Sequence, residues 1–205
     1  SSDALFFSNR GFVLSGLGEY LLALDSLKTA VKIRPNFSLA QFNLGCALLR
    51  LQNFEEGFKL LEYRWELIEK NKQNIGTYLT TSKPAWDGEV GRSVFVWAEQ
   101  GIGDEIMFSS LIPELYSMCS KLIVQCDARL IPLFQRSFPK DIIYKPKRGD
   151  VSEDLYDFHI PIGSLACRFR TTLKSFSKTS GGYLVHDATK TSMLRERLLE
   201  GGAKR

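Results

Sequence analysis

Five pairs of residues within the first seventy positions are separated by the same interval, and this repeat constrains the fold more than any other feature. In each pair the two residue numbers differ by 34, and small residues match small ones while large apolar residues match large ones. The pairs are Gly11 with Gly45, Leu14 with Leu48, Leu17 with Leu51, Tyr20 with Phe54, and Leu27 with Leu61. Five matches at one period rarely arise by chance. Residues 1–70 therefore contain two copies of one structural unit.

A 34-residue period is typical of tetratricopeptide repeats, in which each unit is two short antiparallel helices. In such a unit Gly11 and Gly45 leave room for the second helix to cross closely. Pro35 marks the turn between the units, because proline cannot continue a helix. In the second unit Arg64 replaces the small residue represented by Ala30, so we expect the last helix to run on and dock onto the next segment of the chain. The predicted helices cover residues 5–17, 19–33, 38–51 and 54–69.

The resemblance to tetratricopeptide repeats implies a scaffold that binds a protein or an extended peptide along the surface lined by the first helix of each unit. The expected groove residues are Asn9, Phe12, Phe42 and Asn43. The two asparagines are separated by the same interval as the five pairs, and an amide side chain can pair with one peptide unit as both donor and acceptor. The alternative is that they merely lie on an exposed helix face.

The chain changes character after the repeats. Residues 71–92 are rich in Asn, Thr, Ser, Gly and Lys, which predicts a connector. Residues 93–205 then alternate apolar strand-like runs with helical ones, which predicts a Rossmann-like parallel α/β domain. The predicted strands cover residues 93–99, 122–126, 142–144 and 158–161, and the predicted helices cover residues 104–119, 128–137 and 192–200. The fold class is thus α + α/β.

A glycine-bearing turn follows the first predicted strand, in the run Glu99-Gln100-Gly101-Ile102-Gly103-Asp104-Glu105. Ligands of open α/β sheets bind at such strand ends. A dinucleotide fingerprint would need a third glycine at Ile106, and no Gly-Lys-Ser/Thr phosphate loop is present. Asp104 would also place negative charge where a pyrophosphate should lie. We therefore expect no nucleotide cofactor.

The run Gly101-Ile102-Gly103-Asp104 and the amphipathic helix after it resemble the first glycine loop of heptosyltransferase-like glycosyltransferases of family 9, which have the GT-B fold. The runs Tyr63-Arg64-Trp65, Pro84-Ala85-Trp86-Asp87-Gly88-Glu89 and Asp157-Phe158-His159-Ile160-Pro161 are similar to bacterial proteins that fuse tetratricopeptide repeats to such a domain. The O-linked N-acetylglucosamine transferases are more distantly similar in layout.

This second resemblance implies two facing Rossmann-like domains, of which the first contacts the acceptor and the second holds the nucleotide sugar. It implies that Asp104 is the general base that takes a proton from an acceptor hydroxyl. The alternative is that Asp104 caps the following helix. Glu99 and Glu105 are the other candidate carboxylates, and His159 could contact an acceptor or simply cap the edge of the sheet. Gly101 and Gly103 complete the expected acceptor loop.

The donor-binding half has no counterpart here. A domain of about 150 residues would be needed for it, whereas only one short predicted helix, over residues 192–200, follows residue 184. The first residue is Ser, which indicates a processed product or a piece of something longer. We therefore expect the chain alone to be incomplete as a catalyst. Two interpretations remain: a peptide-binding module joined to an acceptor-side domain that takes a glycan or a protein, or a pure protein-interaction scaffold without transferase chemistry.

The charge and composition argue against nucleic acid, a membrane or a metal ion as a partner. A net charge of +4 is too modest to imply nucleic acid, and Lys145, Lys147 and Arg148 fit a solvated loop. No run approaches the roughly 18 apolar residues of a membrane helix. The four cysteines lack metal-binding spacing. We therefore expect a cytoplasmic protein with reduced cysteines, no metal site and no membrane span.

Overall fold

The computed structural model describes residues 2–71, 79–147, 149–179 and 182–200. The chain forms two compact units, each built from two segments. The first unit is Ser1–Thr80 with Pro161–Ser180, and the second is Thr81–Ile160 with Gly181–Arg205. Residues 72–78 of the predicted connector and Arg148 of the basic run lie outside the described residues.

The N-terminal part of the first unit is helical, as the repeat predicted. Helix α1 packs on α2, α3 packs on α4, and α2 also contacts α3. The helices are α1 (Ser2–Gly16), α2 (Tyr20–Ile33), α3 (Ser38–Arg50), α4 (Phe54–Leu61) and α5 (Arg64–Asn71). This helical character is confirmed, whereas the superhelical arrangement of tetratricopeptide units stays a prediction.

The helices approach each other closely at the glycines of the repeat. A Cβ atom at Gly11 would lie 2.5 Å from Cγ of Leu27, and one at Gly45 would lie 2.9 Å from the carbonyl oxygen of Gly57. Both distances are shorter than atoms tolerate, so the helices approach each other at these two glycines as closely as the repeat predicted. The core beside them consists of Ala23, Leu27, Leu44, Ala47 and Leu48.

The second unit contains a parallel four-stranded sheet in the order β3-β2-β1-β4. Its strands are β1 (Ser93–Trp97), β2 (Lys121–Cys126), β3 (Ile143–Pro146) and β4 (Phe158–Pro161). The central strands β1 and β2 are buried along almost their whole length, as expected for strands covered on both faces. Ala85 forms an isolated parallel bridge with His159, so part of the predicted connector pairs with β4.

The single helix predicted over residues 104–119 is wrong, because two helices occupy that region. Helix α6 (Ile102–Ser109) follows β1, and α7 (Ile112–Tyr116) begins after a break. The Ser110 hydroxyl donates to the Met107 carbonyl oxygen at 2.8 Å, and Pro113 lies in the first turn of α7. A serine that bonds back to the helix and a proline at a helix start both favour such a break.

Helix α8 (Ile131–Ser137) follows β2 and is shorter than predicted. After β4 the chain forms a 3₁₀ turn over Ile162–Leu165, the short helix α9 (Ala166–Phe169) and a second 3₁₀ segment over Leu173–Thr179. The last described helix is α10 (Ala188–Glu200). None of the helices in the described ranges is long and apolar enough to cross a membrane.

The predicted helix over residues 54–69 is also divided, at Glu62 and Tyr63 between α4 and α5. The turn positions two side chains that bind Ser164, which is distant in the sequence. The Ser164 hydroxyl lies 2.8 Å from Oε2 of Glu62, and Nη2 of Arg64 donates to the same hydroxyl at 2.8 Å. Residues 161–179 therefore belong to the first unit, although the sequence pattern grouped them with the α/β domain.

Candidate functional site

The loop after β1 lies at the edge of the sheet where the carboxyl ends of the parallel strands meet. Asp104 is the third residue of α6, and its Oδ2 accepts a hydrogen bond from the Gly101 backbone N–H at 3.1 Å. Such a bond satisfies one of the free amides at a helix start. A Cβ atom at Gly103 would meet nothing within 4 Å, so open space borders the start of the helix. Asp104 therefore fixes the loop beside this space, and its role as a base stays a prediction.

Glu105 joins the ends of three strands. Its side chain is buried, with an exposed fraction of 1% for the residue. Oε2 accepts the Asp127 backbone N–H at 2.6 Å, and Oε1 accepts Nζ of Lys147 at 3.2 Å. Asp127 directly follows β2, and Lys147 directly follows β3. Because both carboxylate oxygens already accept hydrogen bonds, Glu105 is suited to holding the loops in place rather than to moving a proton.

Lys147 corrects the prediction that the basic run is only a solvated loop. Besides its ion pair with Glu105, its ammonium group donates to the carbonyl oxygen of Gln100 in the loop after β1. Its side chain is 26% exposed. Glu99 is buried as well, and it too interacts within the protein. The loop is thus tied to the ends of β2 and β3.

Sequence reasoning missed a second ion pair at this edge. Nε of Arg129 donates to Oδ1 of Asp127 at 2.9 Å, and Nη2 donates to Oδ2 at 2.8 Å. This two-point hydrogen bonding holds the pKa of Asp127 well below its usual range. The signal was available, because Asp127 directly follows the second predicted strand, and parallel strands end at the same edge of a sheet.

His159 is part of β4, and its ring contacts Trp97 at the end of β1. Nε1–H of Trp97 donates to Nδ1 of His159 at 3.1 Å. Burial lowers the pKa of His159 below its ordinary value, and the negative charge of Glu153 opposes this in part. A neutral imidazole that accepts at Nδ1 carries its proton on Nε2. His159 is therefore a neutral group that can donate a hydrogen bond from Nε2.

The lowered pKa of His159 predicts how stability depends on pH. Since the folded state disfavours the proton, the unfolded state binds more protons between the lowered pKa of the folded state and the unfolded pKa of about 6.5. The free energy of unfolding should therefore rise with pH from the lowered pKa up to about 6.5 and gain nothing more from this group above it. Urea denaturation between about pH 5 and 7.5 measures the slope. His159→Gln should reduce the slope, and an unchanged slope would contradict the assignment.

The four predicted groove residues occupy neighbouring helices of the first unit. Asn9 and Phe12 lie on α1 and are exposed, with 64% exposure for Phe12. Phe42 and Asn43 lie on α3 and are half-buried, and α3 contacts α1. Within the described part of the chain, neither asparagine side chain takes part in a hydrogen bond. Their amides are therefore available to a ligand.

No protein-family model matches the chain. A curated protein is similar to it: Protein FlbA of Caulobacter vibrioides. The two are 26% identical over 192 residues, and the match covers 84% of this chain and 32% of FlbA. The chain therefore spans about a third of that relative's length. The name FlbA states no activity, and the similarity assigns neither a family nor a function.

A metal site, a reactive cysteine and a cavity are the other kinds of site to consider. Among the described residues, no group of three His, Cys, Asp or Glu side chains could hold a metal ion. All four cysteines are free, and burial raises the pKa of Cys126 and Cys167 to about 12. Such thiols stay protonated at neutral pH and are poor nucleophiles. A cavity of about 350 Å³ lies at the turn before α3, and none of the four groove residues lines it.

Proposed function

We propose that the helices of the first unit bind a protein or an extended peptide, and that the second unit is a glycosyltransferase-like, acceptor-side domain that is incomplete as a catalyst in this chain. One observation carries the first part. The adjacent helices α1 and α3 present Asn9 and Asn43 at equivalent positions of the 34-residue repeat, and no hydrogen bond of the described residues uses these amides.

The chemistry of these side chains suits the backbone of an extended peptide. Each amide offers a carbonyl acceptor and an NH₂ donor, which is what one peptide unit needs. Phe12 and Phe42 add apolar contact area beside them. A pair of amides reads peptide units rather than side chains, so the predicted binding tolerates differences in ligand sequence.

Replacing Asn9 and Asn43 together with Ala should weaken the binding of unrelated extended peptides about equally. Each lost hydrogen bond is worth about 0.5–1.5 kcal/mol, so the pair should cost from about fivefold to about a hundredfold in affinity. Isothermal calorimetry with a panel of peptide ligands measures this loss.

The matched control for the asparagine pair is the double variant Asp25→Ala, Lys32→Ala. Both residues are exposed on α2, and their joint replacement leaves the net charge unchanged. The control should bind like the parent, and circular dichroism should show that all variants keep their helices. Parental affinity in a folded Asn9→Ala, Asn43→Ala variant would remove the asparagines from the binding site.

The acceptor-side part of the proposal is supported by the loop after β1. Asp104 borders open space at the start of α6, and its Oδ1 is used by no hydrogen bond of the described residues. His159 offers an Nε2–H donor on the same sheet. The scaffold alternative is favoured by a different observation, namely that Asp104 and Glu105 already serve to fix the loops.

Two binding experiments test the acceptor-side function against the scaffold alternative. With a panel of nucleotide sugars the chain should give no binding heat, because the resemblance matches only the acceptor-side loop, and micromolar affinity for any of them would contradict the proposal. Saturation-transfer NMR with candidate acceptor glycans should then give signals that Asp104→Asn weakens. Absence of binding to every glycan, with peptide binding intact, would leave the interaction scaffold as the function.

A further inference from the structure

Helix α1 carries an apolar surface that contains none of the four groove residues. Phe6, Val13 and Leu17 have exposed fractions of 62%, 57% and 72%. Phe6 and Val13 are seven positions apart and lie on one side of α1. Leu17 directly follows the end of the helix, four positions after Val13, and its backbone N–H donates to the Val13 carbonyl oxygen at 3.1 Å. We call these three residues the Phe6 face. Contiguous exposed apolar patches are uncommon on monomeric soluble proteins, and they mark sites of association.

The internal repeat indicates what kind of surface the Phe6 face is. At the offset of the repeat, Phe6 corresponds to Ala40 and Val13 corresponds to Ala47. On α3 those two alanines have exposed fractions of 0% and 1%. Ala47 is buried in the cluster that contains Ala23 and Leu27 of α2. The side of α3 that corresponds to the Phe6 face is therefore covered by the second helix of the preceding hairpin.

The other end of the helical array is covered from within the first unit. The ring of Phe54 on α4 lies 4.6 Å from that of Phe176, centroid to centroid, and Sγ of Cys167 lies 3.2 Å from the carbonyl oxygen of Phe58. Arrays of stacked hairpins need such cover at their ends, since each hairpin buries its apolar faces only against its neighbours. The Phe6 face has no equivalent cover among the described residues.

We propose that the Phe6 face docks a further helical hairpin of the same 34-residue type, in tandem register with the two present. The contact continues the interface that α2 makes with α3. Because Phe6 and Val13 are larger than Ala40 and Ala47, the docking helix must present small residues opposite them. This proposal goes beyond peptide binding and uses none of the four groove residues.

A tandem fusion tests the docking. A second copy of residues 1–34 is placed directly before Ser1 of the full chain, which preserves the repeat interval. Docking should slow hydrogen exchange of the α1 amides at least tenfold relative to the unfused chain and raise the melting temperature by several degrees. A second fusion carries Phe6→Ala and Val13→Ala in the original copy. Alanine is what α3 has at the equivalent positions, Ala40 and Ala47. This fusion should therefore dock even if Phe6 and Val13 are too large for the copied helix.

The control fusion carries Phe6→Glu and Val13→Glu, and it should show neither gain. In the unfused chain the same two substitutions should leave the melting temperature nearly unchanged, because both side chains are exposed. Exchange of α1 that is equally fast in all fusions would overturn the proposal. So would protection that persists with both glutamates. A dimer of the unfused chain that these glutamates dissociate would assign the Phe6 face to a second copy instead.

Discussion

Replacing Glu105 with Ala should lower the free energy of unfolding of the second unit by about 3 kcal/mol. Removing one partner of a buried ion pair costs about 3–5 kcal/mol, since the other charge stays behind without compensation. Here Lys147 is 26% exposed, so water can solvate it in part and we expect the lower end of that range. The substitution also leaves the half-buried Asp127 amide without its acceptor at 2.6 Å.

Urea denaturation followed by tryptophan fluorescence measures the effect, since Trp86 and Trp97 are buried in the second unit. Glu196→Ala on α10 is the control, because that carboxylate is exposed, and it should change stability by less than about 0.5 kcal/mol. The double variant Glu105→Ala, Lys147→Met should cost less than the sum of the single ones. A loss below about 1 kcal/mol for Glu105→Ala would show that this carboxylate does not hold the strand ends together.

The role of Glu105 illustrates where sequence reasoning stops. The strand-to-glycine pattern located the loop after β1 correctly and placed Glu105 shortly after its glycines. Its partners, however, follow β2 and β3, so their proximity depends on the strand order of the sheet. A single sequence contains no such order, and Lys147 was for that reason assigned to a solvated loop. The hydrogen bond of Asp104 is local, but its position differs from the expected one. The sequence alternative made Asp104 the N-cap, whereas Gly101 is the N-cap and Asp104 bonds back to it from the third helical position.

The same distinction between local contacts and contacts distant in the sequence applies to the first unit. The glycines of the 34-residue repeat were predictable because the contacts they permit recur at a fixed interval. The break between α4 and α5 was not, because Ser164 lies 102 residues from Glu62. Helical propensity alone favours continuation through Glu62. The break accompanies contacts with residues 161–179, a segment that the sequence pattern placed in the other domain.

Leu27→Ala should lower the free energy of unfolding of the first unit by about 2–5 kcal/mol, the usual cost of truncating a buried leucine. Leu27 is fully buried, and it packs with residues of α3 as well as against the backbone of α1 at Gly11. Its loss therefore weakens contacts within the first hairpin and between the hairpins. Urea denaturation followed by far-UV circular dichroism reports the change.

Leu21→Ala on the same helix is the matched control for Leu27→Ala. Leu21 is 71% exposed, so its truncation should change stability by no more than about 0.5 kcal/mol. Equal losses for the two leucines would contradict the packing of α2 described above.

A coupling experiment then tests the close crossing itself. A Cβ atom at Gly11 would lie 2.5 Å from Cγ of Leu27 and 2.9 Å from Cδ2, whereas the nearest backbone atom is the Ala23 carbonyl oxygen at 3.2 Å. Gly11→Ala alone should therefore cost about 1–3 kcal/mol through overpacking. In the Leu27→Ala background the obstructing atoms are gone, so the added methyl group should cost less by at least about 1 kcal/mol, as expected for residues in contact. Additive losses would show that Gly11 is needed for another reason than the approach of Leu27, and would remove the physical basis on which the repeat was recognised.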